Sequence, residues 1–415
     1  MTRISTNQMH IGAMDAMSKQ HAKLSRTQQQ VSTGQKIFKP SEDPVAASRV
    51  VNMKDTLASI EQQQSNINSA RARITLAEGV LNNVVESIHR VRELAIQANN
   101  DSQNESTRLF IADEVRQIQG SILDLANTTD SNNEYLFSGA LSRFKPFSRN
   151  EAGSFEYNGD ESHREVQISH SRRIAVDDPG SDIFLEIKNG NGYFNIMSGP
   201  ENMGAGIIDP GRASGDYIPE TYAIIFDQSS SDDTDSIDNA VSKDIPLTYS
   251  IVDAKGVRLK AGIHFEEGKE IEFNGVHTSI NGTPVDGDYF VINPSQNQDM
   301  FTTLQNLIDA LESKTPDKND KVGFHSAMNR SLSDLTQSLD NILLSHGKIG
   351  ARLNALDSQE VINDSYRLQI REVLSGIEDL DFAEAVSRLN LELTGLEASQ
   401  KAFTRVQDIS LFNYL

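Results

Sequence analysis

The stretch IEQQQSNINSARARITLAEGVLNNVVESIHRVRELA (residues 60–95) carries an apolar residue at every seventh position: Ile60, Ile67, Ile74, Leu81, Ile88 and Ala95. Ala70, Ala77, Val84 and Val91 fill a second position between them. Two apolar positions per seven, held for about four heptads, lay one continuous stripe along a helix, the pattern of a coiled coil. A helix over 44–99 is roughly 80 Å long at the standard rise per residue. Pro44 is tolerated in its first turn, with Asp43 or Ser41 as cap. Asn99, Asn100, Asp101 and Ser102 mark its end. An intramolecular helical core explains this stripe better than an intermolecular seam does. A second helix is expected over 105–128, with Leu109, Val115, Ile118, Ile122 and Leu125 on one face, closing an antiparallel hairpin.

Working outward, the chain divides into three parts. Residues 131–300 hold 17 of the 26 Gly and 8 of the 11 Pro, whereas both flanks are poor in each. That middle part has 13 basic and 28 acidic residues, and the flanks together have 25 and 31. Such a shift and return describes a helical body with a turn-rich, acidic insert. Alternation in the insert predicts strands in EVQISH (165–170), TYAIIFD (221–227), LTYSIVDAKGVRLK (247–260) and IEFNGVHTSI (271–280). Turns are expected at Asn158–Gly159, Asn281–Gly282 and Asp286–Gly287. The Ser/Asp run 229–239 reads as a loop. Helix resumes near Met300, breaks around TPDKND (315–320) and continues to about residue 374, supported by Leu332, Leu335, Leu339, Ile342, Ile349, Leu353 and Leu356.

The chain ends mirror one another. Met14, Met17, His21, Leu24 and Val31 fall at heptad-compatible positions near the start. Phe382, Val386, Leu389, Leu393 and Leu396 step by four and three near the other end, and Phe403 continues the seam. Both seams are thin and interrupted by polar residues, so they are marginal alone and need a partner. We therefore expect Met14, Met17, Leu24 and Val31, with Leu389, Leu393, Leu396 and Phe403, to make subunit–subunit contacts.

Chemistry is sparse. The 415 residues include no Cys, which excludes disulfides, thiolate metal sites and cysteine catalysis. A net charge of −21 argues against nucleic acid or an anionic membrane as partner. No apolar run is long enough for a membrane-spanning helix. The opening MTRISTNQMHIGAMDAM lacks the apolar core and cleavage pattern of a conventional signal peptide. There is no nucleophile elbow, phosphate-binding loop or His-Glu-x-x-His motif, and Gly204 and Gly206 do not complete a dinucleotide fingerprint. His163 and His170, seven apart in one expected strand, fall on opposite faces and are assigned structural roles. A calcium loop starting at Asp233 needs Gly at position 238 and Glu at 244, where this chain has Asp238 and Asp244. The pairs Asp177–Asp178 and Glu266–Glu267 read as solvated loop residues. No catalytic, metal or cofactor site is assigned.

QQQVSTGQKIFKPSEDPVAASRVVNM (28–53) resembles the N-terminal block of the flagellin family: a Thr-Gly step at Thr33–Gly34, a short apolar segment at Ile37, then Ser41, Glu42, Asp43 and Pro44 opening a long helix. Glu42 stands where the family usually has Asp. SGIEDLDFAEAVSRLNLELTGLEASQKAFTRVQDISLFNYL (375–415) is similar to the family's other end. The start MTRISTNQM, the close on Leu411, Phe412, Asn413, Tyr414 and Leu415, and the tract NEYLFSGALSRFKPF (133–147) resemble a hook–filament junction member more than a filament subunit.

The resemblance implies an α+β chain: a long coiled-coil-like helical rod formed by both chain ends, with an inserted, mainly β outer domain. Its expected segments are 1–44 (inner core), 45–147 (helical hairpin), 148–300 (β insert), 301–375 (returning helix) and 376–415 (inner core). It also implies a structural, non-enzymatic subunit, secreted without a cleaved signal and placed extracellularly at the hook–filament junction of a bacterial flagellum. The implied partners are the first hook-associated protein, flagellin, further copies in a short ring, and a cytoplasmic export chaperone at the C-terminal region. Two other readings stay open on the residues alone: a filament-forming flagellin, and a secreted carbohydrate- or calcium-binding adhesin using the insert.

Overall fold

The computed structural model describes residues 6–100, 103–151, 153–228, 246–313 and 318–408. The run 229–239 and the calcium loop considered at Asp233 lie outside the described residues. The helices are α1 (Thr6–Thr33), α2 (Pro44–Ala98), α3 (Glu105–Ala126), α4 (Met300–Glu312), α5 (Lys318–Glu378) and α6 (Phe382–Asp408). The strands all lie between α3 and α4, so the chain is α+β with a mainly β insert. Two compact units result. One comprises the chain up to Asn66 together with the chain from Asp357; the other is Ile67–Leu356.

In the Ile67–Leu356 unit the heptad stripe of α2 is the spine of the core. Ile67, Ile74, Leu81, Ile88 and Ala95, with Ala70, Ala77, Val84 and Val91, are all buried. They join one apolar cluster with α3, α4 and the α5 residues Leu335, Leu339, Ile342, Ile349 and Leu356. Asn104 caps α3, accepting from Thr107 N at 2.9 Å while Thr107 Oγ1 accepts from Asn104 N, a reciprocal capping box. The apolar face of α3 is rotated from the expected one: Ile111, Ala112, Val115, Ile122 and Ala126 are buried, and Leu109 is exposed. Arg108 takes the inward place, its guanidinium 4.6 Å over the Phe324 ring of α5. The tract 133–147 adds an aromatic cluster. Phe147 packs edge-on against Phe184, and Phe137 does the same. Leu81 is fully buried in this core. We predict that Leu81→Ala lowers unfolding free energy by about 2–5 kcal/mol, the range for a large-to-small core change, measurable by denaturant titration.

The insert carries a second core. A five-stranded antiparallel sheet runs Arg258–His264, Leu247–Asp253, Tyr222–Gln228, Tyr289–Pro294, Phe194–Ser198. A second sheet contains Glu270–Phe273, Val276–Asn281 and the short strands Ile207–Ile208 and Arg212–Ala213. Inward residues of both, among them Tyr222, Ile224, Phe226, Val276, Ile280 and Phe290, form one cluster. The stretch 271–280, expected as one alternating strand, is a hairpin. Asn274 (φ 42°) and Gly275 (φ 77°) both take the left-handed conformation that a two-residue hairpin turn of the primed type requires. His163 and His170 lie just before and just after the strand Glu165–Gln167 rather than within it.

Candidate assembly interface

The terminal unit is built on α1 and α6, which run antiparallel. Gln35 bridges Asp379, Gln20 Nε2 donates to Glu392 O at 3.2 Å, and the His10 and Phe403 rings meet edge-on at 5.6 Å. The Thr-Gly step that pointed to the flagellin family has a mechanical use here. Gly34 ends α1 at φ 72°, a conformation that favours glycine, with its N–H donating to Gln30 O at 2.9 Å. That turn lets Lys36 N donate to Glu378 O at 2.7 Å and Leu380 N to Gly34 O at 2.9 Å, a clasp joining the end of α1 to the connection between α5 and α6. Glu378 also accepts from Gln35 Nε2 and pairs with Lys54 Nζ, both at 2.9 Å, so α2 is tied to the same point. Glu42 stands where Asp is usual, and its longer side chain accepts from Phe38 N at 3.2 Å and meets Arg26 at 3.4 Å. Asp43, as expected, caps α2 by accepting from Ala46 N at 2.9 Å. On the outer side of α1, Lys19 is pushed above the usual lysine range by its hydrogen bond and charge pairing with Asp15.

The expected contact residues divide between two surfaces. Met17, Leu24 and Val31 of α1, and Leu389, Leu396 and Phe403 of α6, are buried or half-buried on the faces where these helices meet. Met14 and Leu393 are exposed, at 60% and 40%. The sequence reading missed the polar and small members of the seam: Gln20, Thr27 and Gln30 on α1, and Ala385, Glu392, Gly395 and Ser399 on α6. Their signal was the seven-residue spacing of 385, 392 and 399, which polar identities concealed. At Gly395 the helices approach so closely that a Cβ would sit 2.8 Å from Gln20 Nε2.

This unit is short of apolar packing. Among its described residues only Leu24, Ile60 and Ala385 are buried apolar side chains, against fourteen exposed large ones. The exposed set includes Val361, Ile362, Tyr366 and Leu368 on α5, and Phe382, Val386, Leu391 and Leu393 on α6. Its interior instead holds polar residues: Gln359 Nε2 donates to Asn363 Oδ1 at 2.9 Å, and Gln64 Nε2 to Glu360 Oε1 at 2.9 Å. Exposed apolar surface of this extent marks a contact surface.

A buried ionic cluster in the other unit corrects the reading of Asp177–Asp178 as solvated. Asp178 receives two hydrogen bonds from Arg352 of α5, both 2.7 Å. Asp177 accepts from Arg164 N at 2.8 Å and lies 3.8 Å from Arg73 of α2, whose side chain is 8% exposed. Arg73 also donates to Asp130 at 2.6 Å and to Tyr135 O at 2.8 Å. Burial pushes the Asp177 carboxyl above the usual range, against the pull of the neighbouring N–H and guanidinium groups. Burial, reinforced by the charge of Arg164, lowers Arg73 below the ordinary arginine value. The Tyr157 hydroxyl, donating to Phe137 O and Asp160 O, is pushed up to about 12 by burial. This constellation fastens loops onto two long helices. Among the described residues, no group of three or more His, Cys, Asp or Glu could hold a metal ion.

Residues 4–142 match the family described as the bacterial flagellin N-terminal helical region. Across 411 residues, 99% of this chain and 98% of the relative, the sequence is 24% identical to flagellar hook-associated protein 3 of Escherichia coli K12. The fold matches the crystal structure of flagellar hook-associated protein 3 from Legionella pneumophila with TM-score 0.72 and 31% identity, covering 79% of this chain and 98% of that one. A crystal structure of the Legionella pneumophila flagellar junction protein gives TM-score 0.70 and 30% identity, covering 81% of this chain and all of that one.

Proposed function

This chain belongs to the flagellar hook-associated protein 3 family, within the wider flagellin family, and from that membership we propose that it joins the hook to the flagellin filament of a bacterial flagellum. It is a structural subunit of the motility apparatus. The observation that carries the reading is the terminal unit, among whose described residues fourteen exposed large apolar side chains outnumber three buried ones. A chain that leaves this much apolar surface uncovered completes its core with neighbours. Whole-chain likeness to a hook-associated protein, with no long stretch left unmatched, favours a junction subunit over a filament subunit.

In this proposal the chain meets the first hook-associated protein on one side and flagellin on the other, with further copies of itself forming a short ring. Met14 and Leu393, both exposed, meet these neighbours directly, and Met17, Leu24, Val31, Leu389, Leu396 and Phe403 support the contacts by holding α1 against α6. Segments 1–44 and 376–415 act as the inner part, and 148–300 faces outward. The chain reaches the cell exterior by the flagellar export route, with a cytoplasmic chaperone holding its C-terminal region beforehand. Its want of cysteine leaves no disulfide to obstruct passage as an unfolded chain.

Deleting the gene tests the function directly. Electron microscopy should show hooks without filaments, and flagellin monomer should accumulate in the medium. Normal filaments on the deletion strain would overturn the assignment.

A further inference from the structure

The β insert and the helices of the Ile67–Leu356 unit do not share an apolar core. The cluster around Tyr222, Ile224 and Phe290 is separate from the one around Ile74, Leu81 and Phe301. Between them lies a cleft of about 1080 Å³, counting its open mouth, whose walls include Asn191, Asn281, Asn329, Ser333, Thr336 and Gln337. Ile96, Ile207, Ile208 and Leu332 stand beside these amides and hydroxyls, but no buried apolar cluster closes across the open cleft, so it contributes little hydrophobic holding force. The orientation of the sheets therefore depends on the places where chain crosses from one body to the other.

There are two such crossings, and they lie side by side. The outgoing one is NGNG (189–192), and the returning one is 295–298. They are bound to each other: Ile187–Lys188 pairs with Asn297–Gln298, Asn189 N donates to Gln296 O at 3.0 Å, and Ser295 Oγ donates to Asn189 O. Gly190 (φ 66°) and Gly192 (φ 87°) are both left-handed, and the Asn191 side chain between them is bound on the sheet side, donating to Pro210 O and Gly211 O and accepting from Tyr193 N and Phe194 N, which leaves Gly190 as the turn's link to α5. A Cβ on Gly190 would lie 2.2 Å from Phe194 O, so the turn is also too close-packed for any other residue.

One buried carboxylate grips both crossings. Asp334 of α5 accepts from Gly190 N at 2.6 Å through Oδ1 and from Gln298 Nε2 at 3.3 Å through Oδ2. Ser333, its neighbour on α5, donates from Oγ to Gly190 O at 2.7 Å. We propose that Asp334 and Ser333 form a latch that sets the orientation of the sheet module against α5, and that releasing the latch lets the module pivot at 189–192 and 295–298 with both cores intact. A packed apolar interface resists rotation at every contact. A hold concentrated in one carboxylate is lost by one substitution.

The experiment uses the full-length chain alone, so it stands whichever way the gene deletion falls. The natural sequence has no Cys, so Lys255→Cys in the sheet module and Leu344→Cys on α5, both exposed, accept spin labels without further changes. Pulsed electron resonance should give a narrow distance distribution for this pair. Adding Asp334→Ala should broaden it, and hydrogen exchange at the Gly190 amide should accelerate by roughly tenfold or more, the scale of a lost hydrogen bond to a charged group. Exchange in the two cores should not change. An unaltered distribution and unaltered Gly190 exchange in Asp334→Ala would overturn the latch. If Asp334→Ala fails to fold, Ser333→Ala removes only the second bond and decides the matter. A smaller broadening with faster 189–192 exchange sustains the proposal, and wild-type behaviour defeats it.

Discussion

Leu393→Asp should yield a protein that folds like the wild type and fails to enter the flagellum. Leu393 is 40% exposed on α6, on the stripe it shares with the exposed Phe382 and Val386. In the isolated chain an Asp there stays in contact with water, so the change should fall within the few tenths of a kcal/mol typical of surface substitutions, about ±0.5 kcal/mol. Against a neighbouring subunit the same carboxylate is taken out of water without a partner. That costs roughly several kcal/mol for each copy incorporated. Thermal melts should superpose on wild type, sheared flagella should lack the protein on immunoblots, and swimming should fall to the level of the gene deletion. Incorporation at wild-type levels would remove Leu393 from the contact surface. Leu396→Asp should act earlier, because Leu396 is half-buried on the face of α6 that meets α1, and its far-UV helix signal should drop in the free chain.

Arg73→Met should be the most destabilising single change in the ionic cluster. It leaves Asp177, 4% exposed, beside Asp130 and Glu134 with one guanidinium fewer. Breaking a buried ion pair from one side typically costs about 3–5 kcal/mol. For a body of this size that corresponds to a fall in Tm of roughly 10 °C. Adding Asp177→Asn should recover part of the loss, since the uncompensated charge is then gone.

The pH dependence has a definite sign. The folded Asp177 carboxyl is raised above its unfolded value, so the folded state binds the extra proton between those two values, and stability falls as pH rises through that window. Asp130 is held below the ordinary value. Burial alone would raise it, but the N–H groups of Glu134 and Asn132 and the charge of Arg73 outweigh that. Its stabilising contribution is present above the unfolded value and is lost in acid. Removing Arg73 raises the first pKa further and weakens the second effect. Both act in one direction, so the deficit of Arg73→Met should be larger near pH 7 than near pH 4. An equal deficit at both would show that Arg73 acts by packing alone.

The long helices were legible because their evidence is local and redundant. The α2 stripe repeats its apolar choice for several turns, so Ile67, Ile74, Leu81 and Ile88 could be assigned to a core without knowing what covers them. The same redundancy gave α5, while capping chemistry narrowed the start of α2 to Asp43 or Ser41; the expected break at 315–320 lies partly outside the described residues, and α5 already includes Lys318, Asn319 and Asp320. The β character of the insert was equally readable, although Asn274–Gly275 shows that an alternating run can hide a turn. The family resemblance at the two ends was carried by residues that the structure shows to be mechanical: the left-handed Gly34 and the clasp at Glu378.

What the tertiary structure alone decided follows from distance along the chain. On α6 two stripes lie roughly 80° apart at 3.6 residues per turn, and they share Leu389 and Leu396. Nothing local says that the inward one runs through Ala385, Glu392 and Ser399 while Phe382, Val386 and Leu393 face water. Close approach to Gln20 at Gly395 decides it, and Gln20 is 375 positions away. Likewise Asp178 looks like any loop carboxylate until Arg352, 174 residues on, closes over it, and Asp334 like any helix-surface acid until Gly190 arrives 144 residues from it. A periodic pattern specifies an element because each residue's neighbours along the helix repeat the message. Burial of a charge is specified by a partner that only the fold brings near, and the sequence by itself holds no record of that meeting.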